Sequence, residues 1–157
     1  MPEQWDLEFT WEFDQSVAEI YSHWVCPDAR ARYELDEGLT CENFDLRECG
    51  VETIRIAHEG REVGVQVQRY HSVVPNQVIV MSIDGHSNGV QGILMQVAIQ
   101  FDEASKGGCD LTVKVQAMDL DGHNGQEVHE AGWDGLLESF ADDLMGQSRR
   151  TAVPLAA

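Results

Sequence analysis

The sequence predicts an α+β fold in which a curved antiparallel sheet of about six to seven strands wraps around one long C-terminal helix, with two short helices after the first strand. The chain from about Glu42 to Met118 has the composition of strands almost throughout. One amphipathic helix follows this segment and ends near Leu144. A long helix after a strand-rich segment must bury its apolar stripe against the sheet. This arrangement leaves room for a pocket between the two layers.

The N-terminal region predicts a strand and then two short helices. Apolar residues alternate with polar ones in the period-two pattern of a half-buried strand, at Leu7, Phe9, Trp11 and Phe13. Asp14 is a suitable N-cap for the next element, whose shared apolar face consists of Val17, Ile20, Tyr21 and Trp24. Pro27 is predicted to end this helix, and residues 28–33 can form a second one.

The middle of the chain predicts a series of antiparallel hairpins. Short turn-forming pairs such as Glu59-Gly60 and Asn88-Gly89 separate its strands. One apolar face is marked by Val63, Val65 and Val67. The strands are predicted at Glu42–Arg47, Glu52–His58, Glu62–Val73, Gln77–Asp84, Gln91–Asp102 and Cys109–Met118.

The last helix is predicted from near Gly125 to near Gly146. Its apolar stripe has the spacing of one buried helix face and consists of Trp133, Leu136, Leu137, Phe140 and Leu144. We expect Trp133 to be buried, and we expect the missing side chain of Gly132 to let the helix approach the sheet. Residues 1–146 are therefore predicted to form a single domain, and residues 147–157 a flexible tail.

Charge argues against several classes of partner. The formal net charge is −18, from 28 acidic and 10 basic residues spread along the chain. A field of this sign repels phosphate backbones and anionic membrane surfaces, which disfavours nucleic-acid and lipid-surface binding. No apolar run approaches the roughly 20 residues of a membrane span, so no membrane insertion is expected. We expect a monomer or a homodimer.

Cysteine and histidine spacing predicts neither disulfides nor a metal. The four cysteines, Cys26, Cys41, Cys49 and Cys109, form no CxxC pair, and the six histidines form no HxH or HExxH motif. Free thiols are typical of a reducing compartment, and the N-terminus lacks the apolar segment of a secretory signal. We therefore predict a cytoplasmic protein without metal or other cofactor. The Asp119-Leu120-Asp121 segment begins like a calcium loop but has Asn124 where that loop needs glycine, which favours a plain connection.

Four segments in order resemble one known family. Residues 13–27 resemble its opening strand and helix, with Val-x-x-x-Tyr/Trp before Pro-Asp/Glu. Residues 45–50 resemble D-x-R-x-G-G, residues 107–112 resemble G-G-T-x-L-T, and residues 129–137 resemble H-x-x-G-W-x-x-x-L. From about Leu7 to Leu144 the chain resembles the heat-shock-protein ATPase activator homologue-like proteins of the SRPBCC superfamily, a polyketide cyclase-like and lipid-transport group. Cys49 and Cys109 depart from these patterns, and we expect them to alter local turn geometry.

The resemblance implies the START-like helix-grip fold that is also found in Bet v-like proteins. It implies several functions, because members of the superfamily bind varied apolar ligands including lipids, some are cyclases or hydrolases, and some assist a chaperone in the stress response. The leading hypothesis is an apolar or aromatic small molecule bound between sheet and helix. The alternatives are a chaperone-ATPase activator that acts through its surface on a protein partner, and a cyclase- or hydrolase-type enzyme.

The candidate cavity residues come from all three layers. Aromatic side chains and methionines suit an irregular apolar ligand. The candidates are Trp24, Tyr33, Tyr70, His71, Met81, Met95, Val97, Trp133, Leu137 and Phe140. Arg69 and His71 continue the phase of Val63, Val65 and Val67, so they reach the cavity if no bulge intervenes and lie in water if the strand twists out. No catalytic set is predicted, because Glu48, Glu52 and Asp84 lie at strand ends without forming a pair.

Overall fold

The strands of the described chain form a single antiparallel sheet. The structure is a computed structural model, and it describes the backbone of residues 2–152 and the side chains of residues 2–146. Seven strands are hydrogen-bonded in the order β1-β7-β6-β5-β4-β3-β2. In chain order the elements are β1 Glu3–Phe13, α1 Val17–Val25, α2 Pro27–Tyr33, β2 Leu39–Cys41, β3 Val51–His58, β4 Arg61–Val74, β5 Val78–Ser87, β6 Val90–Glu103, β7 Cys109–Asp119 and α3 Gln126–Ala152.

The hairpin turns have the chemistry that their sequence predicts. Both central residues of the β3–β4 turn have positive φ angles, 52° at Glu59 and 74° at Gly60, and so do Asn88 and Gly89 of the β5–β6 turn. Two consecutive left-handed residues match the right-handed twist of the flanking strands. The predicted curved antiparallel sheet with a long C-terminal helix and two early helices is confirmed.

Two local predictions were wrong. The segment 42–47 is not a strand; the strand at this edge of the sheet is β2, Leu39–Cys41, which pairs with β3. The N-cap of α1 is Ser16, which forms a capping box with Glu19, and not Asp14. The prediction that α1 ends before Pro27 is confirmed, because the helix ends at Val25; Pro27 is the first residue of α2, where a missing N–H costs nothing.

The C-terminal helix continues further than the sequence predicts. It runs through Gly146 to Ala152, since an isolated glycine weakens a helix without ending it. The flexible tail predicted for 147–157 therefore begins inside this helix, and residues 153–157 lie outside the described part of the chain.

The apolar face of β4 is the reverse of the one predicted. Val63, Val65 and Val67 are only partly buried, whereas Gln66, Gln68 and Tyr70 face the helix side of the sheet. Valines on a strand indicate a packed face, but here the helix covers only part of the sheet, and the polar residues line the uncovered part.

Aromatic packing fixes α3 at one end of the sheet. The Phe140 ring is fully buried, with its centroid 5.0 Å from that of Trp24, 5.1 Å from Tyr33 and 5.7 Å from Phe13. Leu137 and Leu144 are buried on the same side of the helix. On the surface, Asp143 accepts hydrogen bonds from Arg32 and contacts the His23 ring, which ties α3 to both short helices.

Trp133 and Gly132 do not have the structural roles that the sequence predicts. Trp133 is only partly buried, because it packs against the core and also lines the cavity under the helix. A Cβ atom at Gly132 would meet no other atom within 4 Å. This glycine therefore does not permit a close helix–sheet approach; it borders a gap between the two layers.

The loop before β3 depends on one glycine. The Gly50 N–H donates to the Arg47 carbonyl, and the Gly50 carbonyl accepts from the Tyr70 N–H. A Cβ at Gly50 would overlap the Asp45 carbonyl oxygen. Cys49, which replaces the first glycine of the family pattern, has a φ of 65°, where a side chain is disfavoured. The loop thus tolerates a side chain at the first position and excludes one at the second.

We expect Gly50→Ala to lower the free energy of unfolding by about 1–3 kcal/mol, because the added methyl group forces this loop apart. Urea denaturation followed by tryptophan fluorescence measures the change. Gly125→Ala is the control, since a Cβ there meets nothing within 4 Å. Equal midpoints for the two variants would contradict the prediction.

Candidate functional site

A cavity of about 580 Å³ lies between the sheet, α3 and the α2–β2 connection. Its size falls in the range of roughly 300–1,000 Å³ that is usual for small-molecule sites. The sheet contributes an apolar floor made of Ile54, Ile56, Ile79, Met81, Ile83, Met95 and Ile99. Aromatic and aliphatic side chains of the helices form the rest of the apolar wall, namely Trp24, Tyr33, Trp133 and Leu136.

The long helix divides its surface into three adjacent stripes. The first holds α3 in the core and consists of Trp133, Leu137, Phe140 and Leu144, of which Trp133 also reaches the cavity. The second stripe, Gly132, Leu136 and Ser139, faces the cavity. The third borders the cavity where it meets solvent and consists of Ala131, Gly135, Glu138 and Asp142. The first stripe holds the buried side chains of the helix, whereas in the second only Leu136 packs against the core and Gly132 leaves open space.

Two glutamines of β4 add polar groups to the apolar floor. Gln66 and Gln68 line the cavity, and Gln68 is only 8% exposed. Among the residues that the structure describes, neither amide side chain has a hydrogen-bond partner. No described side-chain nitrogen or oxygen is both fully buried and without a partner, so the Gln68 amide atoms are accessible from the cavity. Gln68 is therefore a hydrogen-bonding group available to a bound molecule.

Acidic side chains surround the opening of the cavity. Glu34 lies deepest, with 12% of its side chain exposed, while Asp36, Glu138 and Asp142 are exposed at the rim. The described lining contains no lysine or arginine. His129 is the titratable base of the described lining. Burial lowers the pKa of its ring, although the charge of Asp119 opposes this shift, so the neutral ring is favoured. Glu34 is paired with Arg30, but Asp36, Glu138 and Asp142 have no ion-pair partner among the described residues.

A buried ionic cluster supports the cavity wall next to Glu34. Arg30 is 1% exposed, and its Nη1 and Nη2 atoms donate to the two Glu52 oxygens over 2.7 Å each. The same guanidinium donates to Glu34 from Nε over 3.0 Å and from Nη2 over 2.9 Å. Its carbon atom lies 4.4 Å from the centre of the Phe44 ring, a cation–π contact.

Glu52 accepts two further hydrogen bonds that complete this cluster. The Tyr70 hydroxyl donates to Glu52 Oε1 over 2.6 Å, and the Asp45 N–H donates to Oε2 over 2.6 Å. Burial raises the pKa of Tyr70 well above its usual value despite the opposing charge of Arg30, so the phenol stays protonated. Burial likewise raises the pKa of Glu34, and Arg30 opposes this rise. Each Glu52 oxygen accepts two hydrogen bonds, so this carboxylate positions the wall and is not free for proton transfer.

The structure places six of the candidate residues along the cavity. These are Trp24, Tyr33, Tyr70, Met81, Met95 and Trp133. Val97, Leu137 and Phe140 are buried in the core and do not line it. They were placed on the cavity because they are apolar and inward-facing, but neighbouring side chains cover them.

His71 was placed in the cavity wrongly. His71 shares the phase of Val63, Val65 and Val67, and this phase faces away from the helix, whereas Tyr70 faces it. The bulge of β4 lies only beyond Tyr70, between Tyr70 and Ser72. The His71 side chain is on the opposite face, where its Nε2 atom lies 2.8 Å from Ser82 Oγ. Arg69 is exposed as well.

Sequence reasoning did not predict several residues of the site, and it did not predict the contacts of Glu52. Arg30 and Glu34 have the i,i+4 spacing of a helical ion pair, which is a signal visible in the sequence. Their contact with Glu52 depends on the tertiary fold and has no local signal. Gln68 alternates with valines, and this alternation gives no signal that the glutamine faces the cavity.

The described residues provide neither a metal site nor a membrane-spanning helix. Within residues 2–146 no group of three potential metal ligands comes together. No described helix is long and apolar enough to cross a membrane. The Asp119 carboxylate instead accepts backbone N–H groups of residues 121, 122 and 124, which fixes the loop before α3.

A family model described as "Activator of Hsp90 ATPase homolog 1-like protein" matches residues 6–144. The chain belongs to this family. The match covers the sheet, both short helices and the part of α3 that borders the cavity. Among curated protein sequences, none matches the chain.

Solved structures share the fold of this family member. A protein from Rhizobium loti is 22% identical and superposes with a TM-score of 0.83, covering 91% of this chain and 99% of its own. Ara h 8.0201 is 12% identical with a TM-score of 0.69, covering 92% and 99%. DynU16, a protein in the dynemicin biosynthetic locus, is 15% identical with a TM-score of 0.63, covering 89% of this chain and 47% of its own. The fold is thus the helix-grip fold of the SRPBCC and Bet v-like proteins.

Proposed function

We propose that this protein binds an apolar or aromatic small molecule in the cavity under α3. The observation that carries the proposal is the cavity itself, about 580 Å³ with an apolar floor and an accessible Gln68 amide that has no hydrogen-bond partner among the described residues. Burial of a flat apolar ring against Met81, Met95 and Trp133 supplies the affinity, since methionine and tryptophan adapt to such surfaces. The unpaired Gln68 amide supplies orientation.

The hydrogen-bonding role of Gln68 distinguishes this proposal from nonspecific apolar binding. A ligand with a hydroxyl or carbonyl group satisfies the amide that the protein leaves without a partner. A ligand of the same shape without that group leaves the amide unsatisfied. The difference between two such ligands therefore measures the contact.

We expect Gln68→Leu to weaken binding of naphthalenemethanol about three- to tenfold and to leave binding of methylnaphthalene unchanged or tighter, because one hydrogen bond is worth about 1 kcal/mol. Quenching of tryptophan fluorescence measures both affinities. Gln96→Leu is the control, because Gln96 is exposed on the opposite face of the sheet. Equal losses for both ligands would contradict the role of Gln68. The absence of binding of either ligand to the unaltered protein would overturn the proposed function.

Fewer observations support the two alternative functions, a chaperone activator and an enzyme. A chaperone-activating role rests on the description of the family and becomes the leading hypothesis if no ligand binds. An enzyme needs a polar group free to react in the cavity, and the buried cluster around Glu52 is saturated. The free thiols of the four cysteines support action in a reducing compartment such as the cytoplasm.

A further inference from the structure

We propose that the ligand is a cationic amphiphile, an aromatic or aliphatic body that carries a protonated amine. The inference rests on the proposed function and adds the charge of the molecule that the cavity selects. It comes from two independent features of the cavity: uncompensated acid at its opening and an unpaired amide on its floor.

The acid at the opening lacks positive partners. Asp36, Glu138 and Asp142 border the cavity and have no ion-pair partner among the described residues. Glu34, further inside, is already paired with Arg30. Asp36, Glu138 and Asp142 are exposed and border the same cavity, so each adds the modest attraction of an exposed charge to an ammonium group at the opening.

Arg30 and Arg32, which lie near the cavity, are already bound to other side chains. Arg30 donates to Glu52 from Nη1 and Nη2, to Glu34 from Nε and Nη2, and to Tyr70 from Nη2. Arg32 is bound to Asp143 outside the cavity. Since His129 favours the neutral form, the described lining has no cation to receive a ligand carboxylate or phosphate. Anionic ligands such as fatty acids therefore meet net repulsion.

The floor independently indicates a ligand with a polar group and an apolar body. Gln68 is only 8% exposed and lines the cavity. Its side-chain amide has no hydrogen-bond partner among the described residues. The surrounding floor is made of isoleucine and methionine side chains. The molecule that fits both features has one end that hydrogen-bonds the amide, an apolar middle and a positive end at the opening.

A set of naphthalene derivatives that differ only in charge tests this inference. Naphthalenemethylamine is cationic at neutral pH, naphthalenemethanol is neutral and naphthoate is anionic. We expect the amine to bind about tenfold tighter than the alcohol at low salt and the anion to bind at least tenfold more weakly. The preference for the amine should shrink as salt is added, because screening weakens exposed charge pairs.

Paired variants of α3 locate the source of the preference. We expect the double variant Glu138→Gln, Asp142→Asn to weaken amine binding about tenfold and to leave alcohol binding unchanged, since each exposed charge contributes up to about fivefold. The control is Glu130→Gln, Asp134→Asn, which removes the same charge at the same spacing on the same helix, away from the cavity. This control should keep the preference.

Each outcome decides between the two proposals. If the amine and the alcohol bind equally to the unaltered protein, or if both double variants weaken amine binding equally, the charge inference fails and the proposed binding function stands. If none of the three compounds binds, the proposed function itself fails. If only the double variant Glu138→Gln, Asp142→Asn weakens amine binding, both the binding function and the charge inference are supported.

Discussion

Replacing Glu52 with glutamine should lower the free energy of unfolding by about 3–5 kcal/mol, the cost of removing one partner from a buried ion pair. Glu52 is 1% exposed and accepts hydrogen bonds from Arg30, from the Tyr70 hydroxyl and from the Asp45 N–H. The amide of glutamine keeps the shape of the carboxylate. It directs an N–H group at one of these donors and leaves the Arg30 charge without its main counterion.

The loss should extend beyond the ion pair, because Glu52 joins four segments. Arg30 comes from α2, Tyr70 from β4 and Asp45 from the loop that Gly50 closes, whereas Glu52 itself is on β3. We expect the weakened cluster to loosen the wall that holds Glu34 at the cavity. Ligand affinity should therefore fall together with stability.

Chemical denaturation of the variant measures this effect. The matched control is Glu62→Gln, because Glu62 also forms an ion pair, over 2.7 Å to Arg55, but both side chains are exposed. Exposed pairs contribute little, so the control should unfold like the unaltered protein. A Glu52→Gln variant that unfolds at the same denaturant concentration as Glu62→Gln would contradict the structural role of the cluster.

Replacing Gly132 with leucine should abolish binding of naphthalenemethanol and raise the stability of the protein. A Cβ at this position meets no atom within 4 Å, and the residue lines the cavity on the stripe of Leu136 and Ser139. The leucine side chain therefore enters the space that the ligand needs. We expect affinity to fall more than tenfold, because displaced ring contacts are the main source of binding energy.

The stability gain comes from helix propensity. Glycine inside a helix costs about 0.8–1.0 kcal/mol relative to alanine, and leucine is nearly as good a helix former as alanine. Gly146→Leu is the control, since Gly146 is also in α3, has open space at its Cβ and does not line the cavity. The control should gain stability and keep its affinity. If Gly132→Leu keeps normal affinity, the ligand does not occupy the space under α3.

The sheet and the long helix were predictable because their signals are local. Alternation marks β1 from Leu7 to Phe13, and left-handed pairs such as Asn88-Gly89 mark the hairpins. Interactions that depend on distant parts of the chain were not predictable in this way. β2 is three residues long and forms only because β3 offers an edge, which explains the misplaced strand at 42–47.

The candidate site was predicted in part for the same reason. The aromatic and methionine residues of the wall have an apolar signal, and six of them reach the cavity. Sequence reasoning took the valines of β4 as its apolar face and made no prediction for the glutamines, because alternation shows two faces but not which one is covered. A bulge at His71 and the contacts of Glu52 with Arg30 are likewise properties of the folded sheet.

Methionine methyl resonances test the central claim most directly. Met81 and Met95 line the cavity, whereas Met118 and Met145 lie outside it. In protein with isotope-labelled methionine methyl groups, titration with naphthalenemethanol should shift the Met81 and Met95 signals saturably, through the ring current of the bound naphthalene, and leave those of Met118 and Met145 in place. Saturable shifts confined to Met118 or Met145, or no saturable shift at any methionine, would contradict a ligand site under the long helix.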